Sequence, residues 1–201
     1  MSTSIIVAVD PGWLNTGWCA VKIAKGMKKP EFLDAGVITN DKRKARSTSH
    51  AARTRKIFGE LCHVLEMYKP AVVIYERNLG SRSGRAATAM RAAFTITVSA
   101  LESMGYGEDR VFEMTPQSIR KIITGKGSGV PKEELNAWIV KRRTFDIMPT
   151  VLLDQGVCRS RHEHALDAAL IAYGCWSLPQ VRRNVSAIAL DALTVASAIE
   201  I

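Results

Sequence analysis

The sequence lacks the features that mark a zinc protein, a disulfide-rich secreted protein or a membrane protein. Its 201 residues include only four cysteines, and none of them forms a CxxC pair. The cysteines lie mostly in apolar, periodic stretches, so we expect reduced core thiols in a cytoplasmic protein: Cys19, Cys62, Cys158 and Cys175. No charged and apolar leader precedes the first apolar run, and no run reaches the length of a membrane span, so no membrane partner is expected.

Acidic residues are also in the minority. The chain has 28 Lys and Arg against 19 Asp and Glu, which gives a formal net charge of +9 and a pI near 9.6. This balance favours a polyanionic partner, and with no membrane segment predicted we expect that partner to be nucleic acid. At 22.1 kDa with 47% apolar residues, the chain is long enough to form one domain with a substantial core.

A Walker-type nucleotide loop is missing as well. The Gly-rich basic stretch from Gly125 to Lys132 offers backbone amides and lysines that could hold phosphate, but no GKS or GKT follows a strand at the required spacing. A sugar kinase or actin-like ATPase would also need a second large domain, for which 201 residues leave no room. No nucleotide cofactor is therefore expected.

Two acidic residues stand at the ends of predicted core strands. Asp10 follows the apolar run of residues 5–9 and precedes the turn residues Pro11 and Gly12. Glu76 follows the β-branched run of residues 71–75, which is typical of a parallel strand buried on both faces. If the two strands are parallel neighbours, both acids reach one sheet edge. The alternatives are that Asp10 only opens its turn and that Glu76 only faces solvent.

The remaining pattern predicts alternating strands and helices. Residues 17–23 and 31–39 extend the first strand into an antiparallel meander, and residues 110–114 form a fifth strand. Helices are expected from Ile57 through Leu65 and over residues 86–101, 119–123, 133–143 and 159–173. The stretch of residues 115–118, with an N-cap hydroxyl and a proline in the first turn, is the start of the third of these helices. The small residues of helix 86–101 suit either a core contact or a dimer interface, and the basic run of residues 41–56 suits either phosphate binding or a solvated face.

A third group of polar residues lies on the helix of residues 159–173. Glu163, His164 and Asp167 share one helix face, and the apolar surroundings of Asp167 make an unpaired carboxylate costly. Oxygen ligands with one imidazole suit Mg²⁺ or Mn²⁺ rather than zinc. Two such ions about 3.5–4 Å apart would activate a water molecule and stabilise the leaving oxygen of a phosphodiester. With a charge of +9, this pattern predicts a nuclease.

Three segments, in this order, resemble the signature segments of the RuvC-type Holliday junction resolvases. They are Ile6 to Gly12 with Thr16-Gly17, Val73 to Glu76, and His164 to Leu170, and the looser likeness spans about residues 5–176. The resemblance implies an α/β fold of the ribonuclease H-like type, with a five-stranded mixed sheet (three antiparallel strands, then two parallel ones) flanked by helices. We expect a nuclease domain at residues 1–178 and a helical tail at 179–201.

The resemblance also implies which residues act. Asp10, Glu76, His164 and Asp167 correspond to the catalytic, metal-binding set, with Mg²⁺ as the expected ion, Mn²⁺ as a substitute and two ions per site. Many bacterial resolvases have Asp where this chain has His164, so His164 either binds metal or acts as general base, and Glu163 is the alternative fourth member. Matched basic positions place Arg120 and Lys132 near the scissile phosphate. The full set of expected DNA contacts is Arg77, Arg82, Arg85, Arg120, Lys126 and Lys132.

The expected function is Mg²⁺-dependent, structure-selective cleavage of DNA at four-way junctions, by a homodimer that nicks two strands symmetrically. The aromatic residue that follows the second acid in bacterial members is not evident, because Arg77-Asn78-Leu79 stands there. Two alternatives stay open: a ribonuclease or single-strand nuclease on the same fold, and a catalytically silent nucleic-acid-binding protein. The basic run and the tail are outside the common core of the family, which fits a viral or organellar branch as well as a cytoplasmic enzyme.

Overall fold

The computed structural model describes residues 3–24, 26–40, 49–77, 84–131, 134–135, 138, 159–176 and 178–185, with residues 159–162 as backbone only. Five strands occupy much of this range: β1 (Thr3–Asp10), β2 (Asn15–Ala24), β3 (Glu31–Thr39), β4 (Val72–Glu76) and β5 (Val111–Met114). The four long helices are α1 (His50–Tyr68), α2 (Gly84–Ser103), α3 (Pro116–Thr124) and α4 (Arg159–Cys175).

The strands form one mixed sheet in the order β3-β2-β1-β4-β5. β1 pairs antiparallel with β2, and β2 pairs antiparallel with β3, whereas β4 runs parallel to both β1 and β5. The predicted sheet of three antiparallel and two parallel strands is therefore confirmed. Because β1, β3, β4 and β5 all point the same way, they end at one edge, which we call the carboxyl edge: Asp10, Thr39, Glu76 and Met114.

Helices cover both faces of the sheet. Along β1, Ile6 and Ala8 face the hydrophobic cluster that contains α3 and α4, whereas Val7 and Val9 face the cluster that contains α1 and α2. All four side chains are at most 1% exposed. A strand buried on both faces must be apolar at every position, which explains the unbroken apolar run that precedes Asp10.

The helix ends follow local capping signals. Ser49 caps α1 by accepting a hydrogen bond from the Ala52 N–H, and Lys69 ends this helix in the left-handed conformation at φ 43°. Thr115 caps α3, whose first residue is Pro116, and Gly125 ends it at φ 78°. The start of α3 agrees with the helix start predicted at residues 115–118. α2 begins at Gly84, two residues before the predicted start at residue 86, and extends to residue 103.

The small-residue face of α2 mostly belongs to the core. Ala93, Thr97, Ala100 and Leu101 are at most 3% exposed, and α2 packs on α1. Ala86 is exposed and Met90 is half-buried, so only the N-terminal part of that face is accessible. The core interpretation of helix 86–101 is therefore right for its C-terminal half.

The chain after α4 continues into a short helical segment over residues 179–185, whose Val181 and Val185 are buried in the cluster that contains α4. The domain boundary at residue 178 stays a prediction. Most of the predicted helix 133–143, Cys158, and the tail beyond residue 185 lie outside the described residues. Among the described residues, no helix is both long and apolar enough to cross a bilayer.

Cys19 and Cys175 are free and buried, as expected for core thiols, whereas Cys62 is half-buried. Burial raises the pKa of the Cys175 thiol to about 12, and that of Cys19 is raised by burial and by the nearby Asp34 carboxylate. Both buried thiols are therefore protonated and unreactive in the folded protein at neutral pH.

Candidate metal centre

The strand register brings Asp10 and Glu76 to the same part of the carboxyl edge. Val9 of β1 pairs with Tyr75 of β4, and Asp10 and Glu76 each follow by one residue. Side chains alternate along a strand, so Asp10 continues the series of Ile6 and Ala8, and Glu76 continues the series of Val72 and Ile74. Both series face the cluster that contains α4. The two acids therefore emerge on the face of the sheet that α4 covers.

α4 supplies the other members of the site. One ligand atom each from Asp10, His164 and Asp167 lies within 4.8 Å of the others, which is close enough for one metal ion to bind all three. His164 and Asp167 are one helical turn apart, so both project from α4 toward the strand end. The Nδ1 atom of His164 lies 2.6 Å from Oδ2 of Asp10, and these side chains are 31% and 13% exposed, respectively.

The hydrogen bond between Asp10 and His164 orients the imidazole. An ionised carboxylate can only accept hydrogen bonds, so Nδ1 is the nitrogen that donates to Asp10, and in the neutral imidazole Nε2 then keeps its lone pair. In that state Nε2 can bind a cation or accept a proton from water. The sequence left open whether His164 or Glu163 completes the site, and the structure places His164, 2.6 Å from Asp10, in the cluster with Asp167, to which Glu163 does not belong.

Gly17 allows α4 to approach this closely. It pairs with Asp10 across β1 and β2, and a Cβ atom at Gly17 would lie 1.9 Å from the backbone oxygen of His164 and 2.9 Å from the backbone nitrogen of Ala165. Any side chain at this position would push the helix away from the sheet. A glycine inside a strand is itself a signal of close backbone approach, so the position of Gly17 in the sequence carried this information.

The turn between β1 and β2 is closed by Thr16, which is fully buried. Its Oγ1 donates a hydrogen bond to the Gly12 carbonyl at 2.8 Å and accepts one from the Gly12 N–H at 3.4 Å. A Cβ atom at Gly12 would lie 2.1 Å from the Asn15 carbonyl oxygen, so the tight turn requires glycine there. Gly12, predicted from the sequence as a turn residue, and Thr16, to which the sequence pattern gave no role, thus fix the strand end that carries Asp10.

Glu76 is half-buried and does not belong to the cluster of Asp10, His164 and Asp167. Its two chain neighbours, Tyr75 in β4 and Arg77 just after it, attach the strand end to β5. The Arg77 Nη1 atom donates to Glu113 at 2.6 Å, and the Tyr75 hydroxyl donates to the same carboxylate at 3.1 Å. The catalytic role of Glu76 stays a prediction, and this network determines where the carboxylate emerges.

The side chains of Asp10, His164 and Asp167 are the kinds of ligand that suit a hard divalent cation. Two carboxylates and one imidazole converge, and no cysteine belongs to this group of the described residues. Two carboxylates this close repel each other unless a cation lies between them. Oxygen-rich sites with an imidazole suit Mg²⁺ and Mn²⁺, whereas structural zinc sites usually contain thiolates.

The residues predicted to contact DNA are spread along the carboxyl edge and beyond it. Arg85 is exposed in the first turn of α2, Arg120 is half-buried in α3, and Arg77 is exposed while paired with Glu113. Lys126 is exposed but follows the C-terminal end of α3, whereas the carboxyl edge is at the start of this helix. The nine-residue helix is ~13 Å long at about 1.5 Å per residue, so it carries the chain away from the edge before Lys126. Arg82 and Lys132 lie outside the described residues. All six DNA contacts stay predictions.

Comparisons with known proteins agree on one family. The family model "Crossover junction endodeoxyribonuclease RuvC" matches residues 6–144. Among curated proteins of that name, the one from Roseiflexus sp. is 23% identical over 91% of this chain and 97% of its own length, and that from Bdellovibrio bacteriovorus is 33% identical over 66% of this chain and 73% of its own. The solved structure of T. thermophilus RuvC in complex with a Holliday junction substrate has the same fold, with a TM-score of 0.65 and 22% identity, and the match covers 85% of this chain and 92% of that one.

Proposed function

The chain belongs to the RuvC family of crossover junction endodeoxyribonucleases, and from this premise we propose that it resolves four-way DNA junctions by symmetric, metal-dependent hydrolysis of two strands. The single observation that carries the chemistry is the convergence of Asp10, His164 and Asp167 within 4.8 Å. Glu76 ends the neighbouring strand on the same face of the sheet, and we assign it to the same site.

We propose Mg²⁺ as the native ion, with Mn²⁺ as a functional substitute and two ions per active site. The carboxylates of Asp10, Glu76 and Asp167 would hold the metal together with His164. When bound, the ions supply Lewis acidity to the scissile phosphate and lower the pKa of a bound water molecule. His164, oriented by its Nδ1–H bond to Asp10, keeps Nε2 available to bind metal or to accept the proton of the attacking water.

The distribution of charge supports binding of DNA at the carboxyl edge. α1, α2 and α3 each follow a strand that ends there, and α4 reaches the same edge at His164. None of the four helices has an acidic residue in its first turn. The positive ends of four helix dipoles are thus not neutralised, which favours a polyanion along this edge. The net charge of +9 acts in the same direction.

We further propose that the enzyme acts as a homodimer, because a junction with two-fold symmetry is cut in two places by two identical sites. The N-terminal part of α2, where Ala86 is exposed and Met90 is half-buried, is the proposed contact surface. We place the activity in the cytoplasm, in agreement with the free thiols of Cys19, Cys62 and Cys175.

The test is cleavage of a synthetic four-way junction labelled on each strand in turn, with and without Mg²⁺. We expect paired, symmetric nicks that require the ion, and no comparable cleavage of linear duplex, single-stranded DNA or RNA. Asp10→Asn should abolish cleavage, because the amide cannot replace a carboxylate ligand, while junction binding persists. Cleavage by Asp10→Asn at the wild-type rate would contradict the metal site, and a preference for RNA or single strands would contradict the substrate.

A further inference from the structure

A pair of aromatic rings lies beside the metal centre and has no part in it. The rings of Trp13 and His50 have centroids 5.1 Å apart and planes tilted by 33°. Trp13 belongs to the turn that follows Asp10, and His50 is the first residue of α1. Trp13 is half-buried and His50 is exposed, so part of this pair faces solvent at the carboxyl edge.

The backbone that carries Trp13 is fixed from both sides. Asn40, only 6% exposed, donates through Nδ2 to the Trp13 carbonyl at 3.0 Å and through its backbone N–H to the Leu14 carbonyl at 2.7 Å. On the other side, Thr16 bonds to Gly12. A ring on a backbone that is already ordered loses little conformational entropy when it binds a ligand.

The same turn borders the metal centre. A Cβ atom at Gly12 would lie 3.6 Å from Cε1 of His164, whereas the next residue, Trp13, packs against the cluster on the α1 and α2 side of the sheet. The metal centre and the aromatic pair therefore lie on opposite sides of one sheet edge, separated by a single turn. A DNA strand that crosses this edge at the metal centre would pass the aromatic pair.

The surroundings of the pair are basic. The first turn of α1 contains no acidic residue, and Arg55 and Lys56 are exposed in the next turn, where Lys56 lies 3.7 Å from the Glu60 carboxylate. Lys56 donates to the Thr39 carbonyl at the end of β3 at 2.8 Å, so α1 is attached to the edge at this point. Accessible aromatic rings combined with positive charge are the combination that binds unstacked nucleotides, because every base has a π-face and every phosphate has a charge.

We propose that Trp13 and His50 form a stacking platform for an unstacked base of the DNA strand next to the cleaved phosphate. This inference rests on the proposed nuclease function and adds a means of selecting the substrate. Bases in a linear duplex are stacked on their neighbours, whereas bases at a branch point are exposed at lower cost. The platform would therefore favour branched over linear DNA.

The test measures DNA binding in an Asp10→Asn background, in which no cleavage occurs. Trp13→Leu and His50→Ala should each bind a four-way junction about tenfold more weakly, equivalent to ~1.4 kcal/mol, and should bind linear duplex as the parent does. Trp13 carries no charge, so the slope of log affinity against log salt should be unchanged in Trp13→Leu. The matched control is His63→Ala, an exposed histidine of the same helix about 20 Å further along at about 1.5 Å per residue, which should bind normally.

A fluorescence measurement covers the case in which Trp13→Leu fails to fold. Stacking of a base on Trp13 should quench tryptophan emission when the junction binds, and Trp13→Phe should remove that quenching while it retains an aromatic ring. Junction binding by His50→Ala that equals the parent, or quenching that persists in Trp13→Phe, would overturn the platform. Either result leaves metal-dependent junction cleavage by the wild type intact, whereas absence of that cleavage would overturn the proposed function itself.

Discussion

His164 is the candidate site residue whose assignment depends most on the structure rather than on the sequence. The sequence analysis placed His164 in the predicted catalytic set and kept Glu163 as the alternative, because adjacent residues on a helix differ by only about 100° in direction. The structure distinguishes the two residues, because His164 Nδ1 lies 2.6 Å from Asp10 Oδ2 and only His164 belongs to the cluster with Asp10 and Asp167. The contribution of each of these two neighbouring residues to cleavage can be measured by replacing them one at a time.

We predict that His164→Ala lowers the turnover number for junction cleavage by roughly 10²-fold or more, in the range typical for loss of a general base. Glu163→Ala should stay within a few-fold of the wild type, because its side chain is outside the cluster. The measurement is single-turnover cleavage at saturating Mg²⁺, with thermal melting to verify that both variants fold. A larger loss in Glu163→Ala would transfer the role to that residue.

At the scale of elements, the site depends on how closely α4 packs on the sheet. The helix meets β2 at Gly17, where the backbone of His164 occupies the space that a side chain would need. Backbone atoms cannot avoid a clash by changing rotamer, so a larger residue has to move the whole helix. Because α4 carries both His164 and Asp167, such a movement separates them from Asp10 on β1.

We predict that Gly17→Ala destabilises the protein by about 1–3 kcal/mol, the usual cost of overpacking a core, and lowers cleavage further than this loss of stability explains. The matched control is Gly59→Ala, because Gly59 lies within α1 with no atom within 4 Å of its Cβ position. There alanine should stabilise the helix by roughly 0.5–1 kcal/mol. Urea unfolding and junction cleavage measure both effects. Equal behaviour of the two variants would contradict the close approach of α4.

At the scale of the whole molecule, all four tyrosines of the chain have a raised pKa. Burial is the first cause in each case, and the Glu113 carboxylate, which accepts a hydrogen bond from Tyr75, helps to raise that pKa to about 12. A phenol with a raised pKa holds its proton in the folded state at a pH where the unfolded chain has lost it. The folded state therefore binds more protons, and stability falls as pH rises.

We predict that the free energy of unfolding declines from about pH 9, the ordinary pKa of a cysteine thiol, through pH 10, the ordinary tyrosine pKa, to pH 12, because Cys175 and Tyr75 keep their protons to about pH 12 in the folded state. Urea unfolding at fixed ionic strength measures this decline. Tyr75→Phe removes one of these groups, so its decline should be shallower than that of the wild type. A stability that does not change over this interval would contradict the raised values.

The sequence by itself determined the strand order of the meander, the positions of Asp10 and Glu76 at strand ends, and the charge that directs the protein to nucleic acid. These properties follow from periodicity, turn residues and composition, which can be read from the sequence without knowing the fold. The family likeness added the predicted catalytic set and the expected substrate.

Only the tertiary structure decided that His164 contacts Asp10, that Gly17 admits the helix, and that Trp13 meets His50. His164 and Asp10 are 154 positions apart in the sequence. The partners in the other two contacts are also far apart in the sequence. Contacts at such separations are set by how α1 and α4 pack on the sheet, and packing depends on the shapes of all the side chains between them rather than on any local pattern.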